Sequence, residues 1–68
     1  MQVIVNGEKT VVPAKTTLQE LMEQKNMTAG HAVAELNEQI TNKHAWPDIF
    51  LSENDSIEII TFVGGGSK

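Results

Sequence analysis

The chain has 68 residues, which is room for one small domain. A domain of this size buries only about 60% of the surface that its unfolded chain exposes, so a large enclosed active site is not expected. It contains no cysteine, which excludes disulfides, thiolate metal ligands and a cysteine nucleophile. Nine acidic residues against five lysines give a formal net charge of -4, and this charge, with no arginine present, disfavours nucleic acid as a partner.

The opening residues predict a β-hairpin. Residues 2–6, Gln-Val-Ile-Val-Asn, fit the pattern of a strand well enough, and Asn6-Gly7 is a strong signal for a two-residue turn. A second strand is expected at about residues 9–13. Because proline cannot donate to a strand ladder, this strand should end at Pro13 or lie at the edge of a sheet.

A helix is predicted over residues 17–25. Thr17 and Glu20 have the spacing of a capping box, in which each side chain accepts a hydrogen bond from the other residue's backbone. The apolar residues that follow lie on one helical face: Leu18, Leu21 and Met22. This face should pack on a sheet.

The second half of the chain is predicted to be mainly strands. Residues 32–36 form one strand, a turn leads to a short segment around Ile40, and residues 41–50 show no clear period. Trp46 is interpreted as a packing anchor in that irregular segment, which Pro47 ends. After a turn at residues 54–55, residues 57–63 are rich in β-branched side chains and predict the final strand.

This order of elements predicts an α+β fold of the β-grasp, or ubiquitin-like, type. The two opening strands form a hairpin, and the helix carries the chain across so that the last strand lies parallel to the first. We expect a mixed sheet of four to five strands with one main helix packed on one face. The domain should span residues 1–63, followed by a glycine tail at residues 64–68.

The final strand predicts a partner-binding surface. Ile57 and Ile59 should face the helix, so Ile60 and Phe62 should lie on the outer side of the sheet. Ile4 on the first strand falls on the same outer side. We therefore expect Ile4, Ile60 and Phe62 to form an exposed apolar patch that binds a partner, with Val63 also in the partner-binding set. The alternative is that a curled sheet partly covers these side chains.

Five short segments carry a family resemblance: Val-Ile-Val-Asn-Gly at 3–7, Ala-Val-Ala-Glu-Leu-Asn at 32–37, His-Ala-Trp at 44–46, Ser-Ile-Glu-Ile-Ile at 56–60 and Phe-Val-Gly-Gly-Gly at 62–66. With these segments the chain resembles, over residues 1–66, the ThiS family, the sulfur-carrier proteins of thiamine biosynthesis. The related small subunits of molybdopterin synthase usually have prolines before their glycines, and none occurs there in this chain.

The resemblance implies a carrier and not an enzyme. An activating enzyme similar to ThiF would use ATP to adenylate the carboxylate of Gly66, and a sulfur donor protein would supply sulfur to form a thiocarboxylate. A thiazole synthase similar to ThiG would then take the sulfur. Gly64 and Gly65, which lack side chains, would let Gly66 enter narrow active sites. No cofactor would be bound to the chain itself.

Two departures from the family pattern bear on these expectations. The chain continues past Gly66 with Ser67-Lys68, so Gly66 is in a peptide bond and has no free carboxylate. A cloning scar, a precursor that a protease trims, or a protein unable to carry sulfur would each explain this. Asn54-Asp55 stands where the family commonly has Gly-Asp, a change that asparagine tolerates because it adopts left-handed backbone conformations.

The sequence fits several other functions less well than a carrier. A metal site is not expected, because His31 and His44 lack supporting ligands at a familiar spacing. No segment has the roughly 20 apolar residues of a membrane span or the pattern of a signal peptide, so we expect a cytoplasmic protein that does not bind membranes. Within the predicted fold, another sulfur carrier, a modifier that is conjugated to lysine, or an interaction module with an inert tail are the alternatives.

Overall fold

The computed structural model describes residues 1–27 and 32–61. In this part of the chain the elements are β1 (Gln2–Val5), β2 (Glu8–Val11), α1 (Leu18–Gln24), β3 (Ala32–Leu36), β4 (Gln39–Ile40), a 3-10 helix (Lys43–Asp48) and β5 (Ser56–Thr61). Neither helix in the described ranges is long and apolar enough to cross a lipid bilayer.

The strands form one mixed sheet in the order β2-β1-β5-β3-β4. β1 and β5 are parallel, whereas β1 pairs with β2, β3 with β4 and β3 with β5 in antiparallel fashion. The fold prediction is thus confirmed, including the parallel pairing of the first and last strands. The last strand lies at the centre of the sheet, between β1 and β3.

The hairpin follows from its turn residues. Asn6 and Gly7 have φ angles of 50° and 83°, the left-handed conformations that a two-residue turn between twisted strands requires. The second strand runs from Glu8 to Val11 and not to Pro13, so the predicted end was two residues too late. It lies at the edge of the sheet, which was one of the two predicted outcomes.

The helix begins at the predicted capping box. The Glu20 amide donates to Thr17 Oγ1 at 3.1 Å, and the Thr17 amide donates to Glu20 Oε1 at 2.9 Å. Two backbone donors that lack partners inside the helix are thereby satisfied. The predicted apolar face is buried: Leu18, Leu21 and Met22. Together with the inner face of the sheet, this helical face builds the core.

The 3-10 helix was not predicted, because side-chain contacts and not a periodic pattern stabilise it. Trp46 is 1% exposed, and its Nε1 donates to Thr41 Oγ1 at 2.8 Å. The Thr41 hydroxyl in turn donates to the carbonyl oxygen of Ala34 at 2.8 Å. Trp46 is a packing anchor, as predicted, but Pro47 lies inside the helix and does not end the segment.

Candidate functional site

The face of the sheet opposite the helix, here named the outer sheet face, is defined by strand register. Directly paired residues project to the same side of a sheet, and the residues that alternate with the buried core positions point away from it. The outer sheet face comprises Gln2, Ile4, Lys9, Val11, Val33, Glu35, Ile40, Ser56, Glu58 and Ile60.

The predicted orientation of the last strand is confirmed. Ile57 and Ile59 are buried in the core, whereas Ile60 is 43% exposed on the outer sheet face. The strand ends at Thr61, and the other predicted partner-binding residues of this region, Phe62 and Val63, lie outside the described residues.

Register separates two residues that the predicted patch placed side by side. Ile4 is half-buried and lies opposite Ser56, at the beginning of β5, whereas Ile60 lies opposite Val33, near the end of β5. Ile60 lies four positions after Ser56 on this strand, which corresponds to roughly 13 Å. Ile4 and Ile60 therefore share a face without being cross-strand neighbours. Their role in partner binding stays a prediction.

Other apolar residues of the outer sheet face were not foreseen. Val11 is 81% exposed on β2 and Ile40 is 72% exposed on β4, and Val33 pairs with Ile60. In β3, Ala32 and Ala34 are buried, and this alternation was the only signal in the sequence that Val33 lies on the outer sheet face. It becomes decisive only once the pairing of β3 with β5 is known.

Two acidic residues face each other on this surface. Glu35 on β3 is the direct cross-strand partner of Glu58 on β5, and Ile40 on β4 is the other cross-strand neighbour of Glu35. Directly paired residues have Cβ atoms about 4.5–5.5 Å apart. The two side chains therefore leave the sheet from neighbouring positions, with Ile40 on one side and the pair of Val33 and Ile60 as the next outward position along β5.

Asparagine side chains hold β5 at both sides. The backbone amide of Ser56 donates to Asn37 Oδ1 at 2.9 Å, and the backbone amide of Asn37 donates to the carbonyl oxygen of Ser56 at 2.7 Å. On the side of β1, the Ile59 amide donates to Asn6 Oδ1 at 2.7 Å. The strand that leads to the glycine tail is thus fixed by side chains from two turns as well as by its neighbouring strands.

The tail residues Gly64, Gly65 and Gly66 lie outside the described residues. Gly66 follows Thr61, the end of β5, by five positions. A fully extended chain advances at most about 3.3–3.6 Å per residue, so Gly66 cannot lie more than about 18 Å from the end of the central strand. A protein that acts on Gly66 must therefore approach the end of the sheet at which β5 ends.

No group of three or more histidine, cysteine, aspartate or glutamate side chains suited to a metal ion occurs within residues 1–27 and 32–61. His44 is exposed in the 3-10 helix, and His31 lies outside the described residues. Asn54 has a φ of 68°, so asparagine takes the left-handed position in the turn before β5.

Comparison with known proteins relates the chain to thiamine biosynthesis. The model of the ThiS family matches residues 2–66. The crystal structure of a thiamine biosynthesis protein (ThiS) from Geobacter metallireducens superimposes with a TM-score of 0.81 at 25% identity, over 97% of this chain and 100% of that one. The chain is also 37% identical over 62 residues to an uncharacterized protein, ycf40, from Trieres chinensis, covering 91% of this chain and 85% of that protein.

Two thiazole synthases contain a segment similar to this chain. The protein from Paramagnetospirillum magneticum is 28% identical over 67 residues, and the one from Magnetococcus marinus is 30% identical over 66 residues. These alignments cover 98% and 97% of this chain but only 21% and 20% of the two enzymes. On the evidence of the family match and the shared fold, the chain belongs to the ThiS family, the small sulfur-carrier proteins of thiamine biosynthesis.

Proposed function

We propose that this chain carries sulfur as a thiocarboxylate on Gly66 and donates it to a thiazole synthase that builds the thiazole of thiamine. The observation that carries the proposal is the family match, which extends from the first strand to Gly66. The central position of β5 supports it, because this strand connects the folded domain to the tail.

The proposed chemistry activates a carboxylate that is otherwise a poor electrophile. A carboxylate oxygen of Gly66 attacks the α-phosphate of ATP, and pyrophosphate leaves, which gives a mixed anhydride with AMP. A hydrosulfide equivalent from a sulfur donor then attacks the glycyl carbonyl carbon, and AMP leaves with the bonding electron pair. The product is a thiocarboxylate, whose sulfur is a nucleophile. An activating enzyme similar to ThiF performs the ATP-dependent step in this proposal.

A thiazole synthase is the proposed acceptor. About a fifth of each of two thiazole synthases aligns with nearly this whole chain, so similar sequences occur in one polypeptide with that enzyme. Covalent linkage of two modules raises their effective concentration and is useful when the modules act on one another. The separate chain would reach the same active site by binding.

Carrier chemistry requires a free carboxyl group on Gly66. With Ser67 attached, the carbonyl carbon belongs to an amide, which cannot be adenylated as a carboxylate can. We therefore propose that the active form ends at Gly66, either because Ser67-Lys68 is a cloning scar or because a protease removes it. The chain that retains both residues provides the matched control.

The test compares proteins that end at Gly66 and at Lys68. Each is incubated with the ThiF-like activating enzyme of the same organism, magnesium, ATP and sulfide, and its intact mass is measured. We expect the mass change of one oxygen replaced by sulfur only in the protein that ends at Gly66. An adduct linked to lysine would indicate a protein modifier, and an unchanged mass without adenylate would indicate an interaction module with an inert tail.

A further inference from the structure

The turn between β1 and β2 contains the most reactive asparagine of the chain. An asparagine loses its side-chain amide when the backbone nitrogen of the next residue attacks the side-chain carbonyl carbon, and glycine, which has no Cβ, hinders this attack least. Asn6-Gly7 is the single Asn-Gly pair in the sequence. Both residues are exposed, and no atom lies within 4 Å of the position that a Cβ of Gly7 would occupy. Solvent and the attacking nitrogen therefore meet no obstacle from neighbouring side chains.

Other asparagines share the left-handed backbone of Asn6 but not its glycine neighbour. Their φ angles are 58°, 50° and 68°, in the order Asn26, Asn37 and Asn54. The residues that follow them are methionine, glutamate and aspartate, all of which have a Cβ. These three asparagines are internal controls in which the conformation is the same and the neighbour differs.

The folded turn protects Asn6 from this reaction. The φ angles of 50° at Asn6 and 83° at Gly7 fit a type I′ turn, in which ψ of the first residue is about 30°. Such a ψ places the Gly7 nitrogen near the Asn6 nitrogen and turns it away from Cβ, whereas closure of a five-membered ring requires it beside Cβ. The side chain is also held, because Asn6 Oδ1 accepts from the Ile59 amide at 2.7 Å. The turn must therefore open before the ring can close.

We propose that Asn6-Gly7 is a protected deamidation site, which reacts while the turn is open and detached from β5. The turn joins β1 to an edge strand, and only two residues of β1, Ile4 and Val5, pair directly with β5. Segments with few neighbours open locally at a lower free energy than the core. The inference concerns the domain itself and does not depend on the proposed function.

The reaction consumes water and releases ammonia. The Gly7 nitrogen gives its proton to hydroxide and attacks Cγ of Asn6; a C–N bond forms, and the bond from Cγ to Nδ2 breaks as ammonia leaves with a proton from water. Water then adds to one of the two carbonyl carbons of the cyclic imide, and the bond from that carbon to nitrogen breaks. Opening at Cγ gives aspartate, and opening at the backbone carbonyl gives isoaspartate. No group is oxidised or reduced.

The two products differ in their effect on β5. Aspartate keeps the length of the backbone and an oxygen at the place of Oδ1, so it still accepts from the Ile59 amide. Isoaspartate adds a methylene to the backbone of a two-residue turn that pairs Val5 with Glu8, and it moves the free carboxylate to Cα. The partly buried Ile59 amide then loses its acceptor, which is unfavourable. Refolding cannot reverse this change, because it is covalent.

The first test compares the folded and unfolded chain. The complete protein is incubated in mildly alkaline buffer with and without concentrated urea, and deamidation of each asparagine is followed by peptide mass spectrometry. We expect Asn6 to react at least about tenfold faster in urea than in the folded protein. In urea it should also react at least about tenfold faster than the three control asparagines, and Gly7→Ala should remove most of that difference. Both chains are unfolded in urea, so an effect of Gly7→Ala on folding does not enter.

Hydrogen exchange tests whether the opening is local. Exchange of the Ile59 amide and ring closure at Asn6 both require loss of the same hydrogen bond. We therefore expect the ratio of the deamidation rates in urea and in the folded protein to agree with the protection factor of the Ile59 amide within about threefold. The Ile4 amide, which donates to the carbonyl oxygen of Asp55 at 2.8 Å, should be better protected. Equal protection of Asn6 and the Ile4 amide would overturn a local opening.

The last test separates the products. Isoaspartate is identified by methylation with protein isoaspartate methyltransferase, and the two forms are resolved by ion exchange and refolded. The aspartate form should match the encoded Asn6→Asp variant in urea denaturation, whereas the isoaspartate form should unfold at lower urea and exchange the Ile59 amide faster. Three results would overturn the inference: equal rates at Asn6 in folded and unfolded protein, equal rates at Asn6 and the control asparagines in urea, or an isoaspartate form as stable as the aspartate form.

Discussion

The side chain of Asn6 is predicted to stabilise the central strand in a way that backbone pairing does not. The backbone amide of Asn6 donates to the carbonyl oxygen of Ile57 at 2.9 Å, which continues the parallel ladder of β1 and β5. Asn6 then turns into the left-handed conformation, with a φ of 50°, and its Oδ1 accepts from the Ile59 amide at 2.7 Å. The side chain thus supplies the next acceptor of the ladder.

Two substitutions separate the hydrogen bond from the backbone conformation. Asn6→Gly removes the acceptor but keeps the left-handed turn, and it should cost about 1–2 kcal/mol because the partly buried Ile59 amide loses its partner. Asn6→Ala removes the acceptor and adds the steric cost of a left-handed Cβ, roughly 1–2 kcal/mol more. For a domain of this size, each kcal/mol lowers the melting temperature by about 4–8 °C.

The buried Trp46, the single tryptophan of the chain, gives a fluorescence signal for unfolding in urea. Asn6→Asp keeps a side-chain oxygen at the same place and serves as the control that should retain more stability than Asn6→Gly. Hydrogen exchange of the Ile59 amide, followed by NMR, should accelerate in Asn6→Gly. A glycine variant with unchanged urea midpoint and unchanged Ile59 protection would refute this account of the central strand.

Four further substitutions test the fold and the proposed interface. Thr17→Ala removes half of the capping box and should lower the free energy of unfolding by about 1 kcal/mol in urea denaturation. Leu21→Ala leaves a cavity under the helix and should lower it by about 2–4 kcal/mol in the same assay. Trp46→Phe removes the donor to Thr41 and leaves unfilled volume, with a loss of about 2 kcal/mol followed by circular dichroism. Phe62→Asp should weaken calorimetric binding to the activating enzyme by about tenfold while the far-ultraviolet spectrum stays native; unfolding by this change would show that the assignment of its face is wrong.

Local signals in the sequence predicted much of the fold. Asn6-Gly7 determines its turn because the two residues tolerate positive φ, and the capping box of Thr17 and Glu20 places the start of the helix. The strand at residues 32–36 has the predicted bounds. In each case a few neighbouring residues contain the physical information, so no knowledge of distant contacts is needed.

Features that depend on distant contacts were not predictable in the same way. The 3-10 helix depends on the indole of Trp46 and the hydroxyl of Thr41, which form a hydrogen bond and have no periodic pattern. The separation of Ile4 from Ile60 and the pairing of Glu35 with Glu58 are set by the register of β5 against its two neighbours. A strand pattern tells which residues share a face, whereas register decides which of them touch.

The functional assignment has a different basis from the fold. A run of glycines has no chemistry that distinguishes a reactive terminus from a spacer. Its meaning comes from its place after the last strand of a β-grasp domain and from the family match that extends to Gly66. In the proposed function the chemistry is performed by partner enzymes, and the domain would contribute the central strand that leads to the tail and, once the chain ends at Gly66, a carboxyl group.

The most direct test of the central claim is the intact mass of the protein purified from the cells that produce it naturally. The account predicts a chain that ends at Gly66, with a fraction in which one terminal oxygen is replaced by sulfur and alkylation with iodoacetamide labels that sulfur. A protein that always retains residues beyond Gly66 and contains no added sulfur would contradict the carrier function.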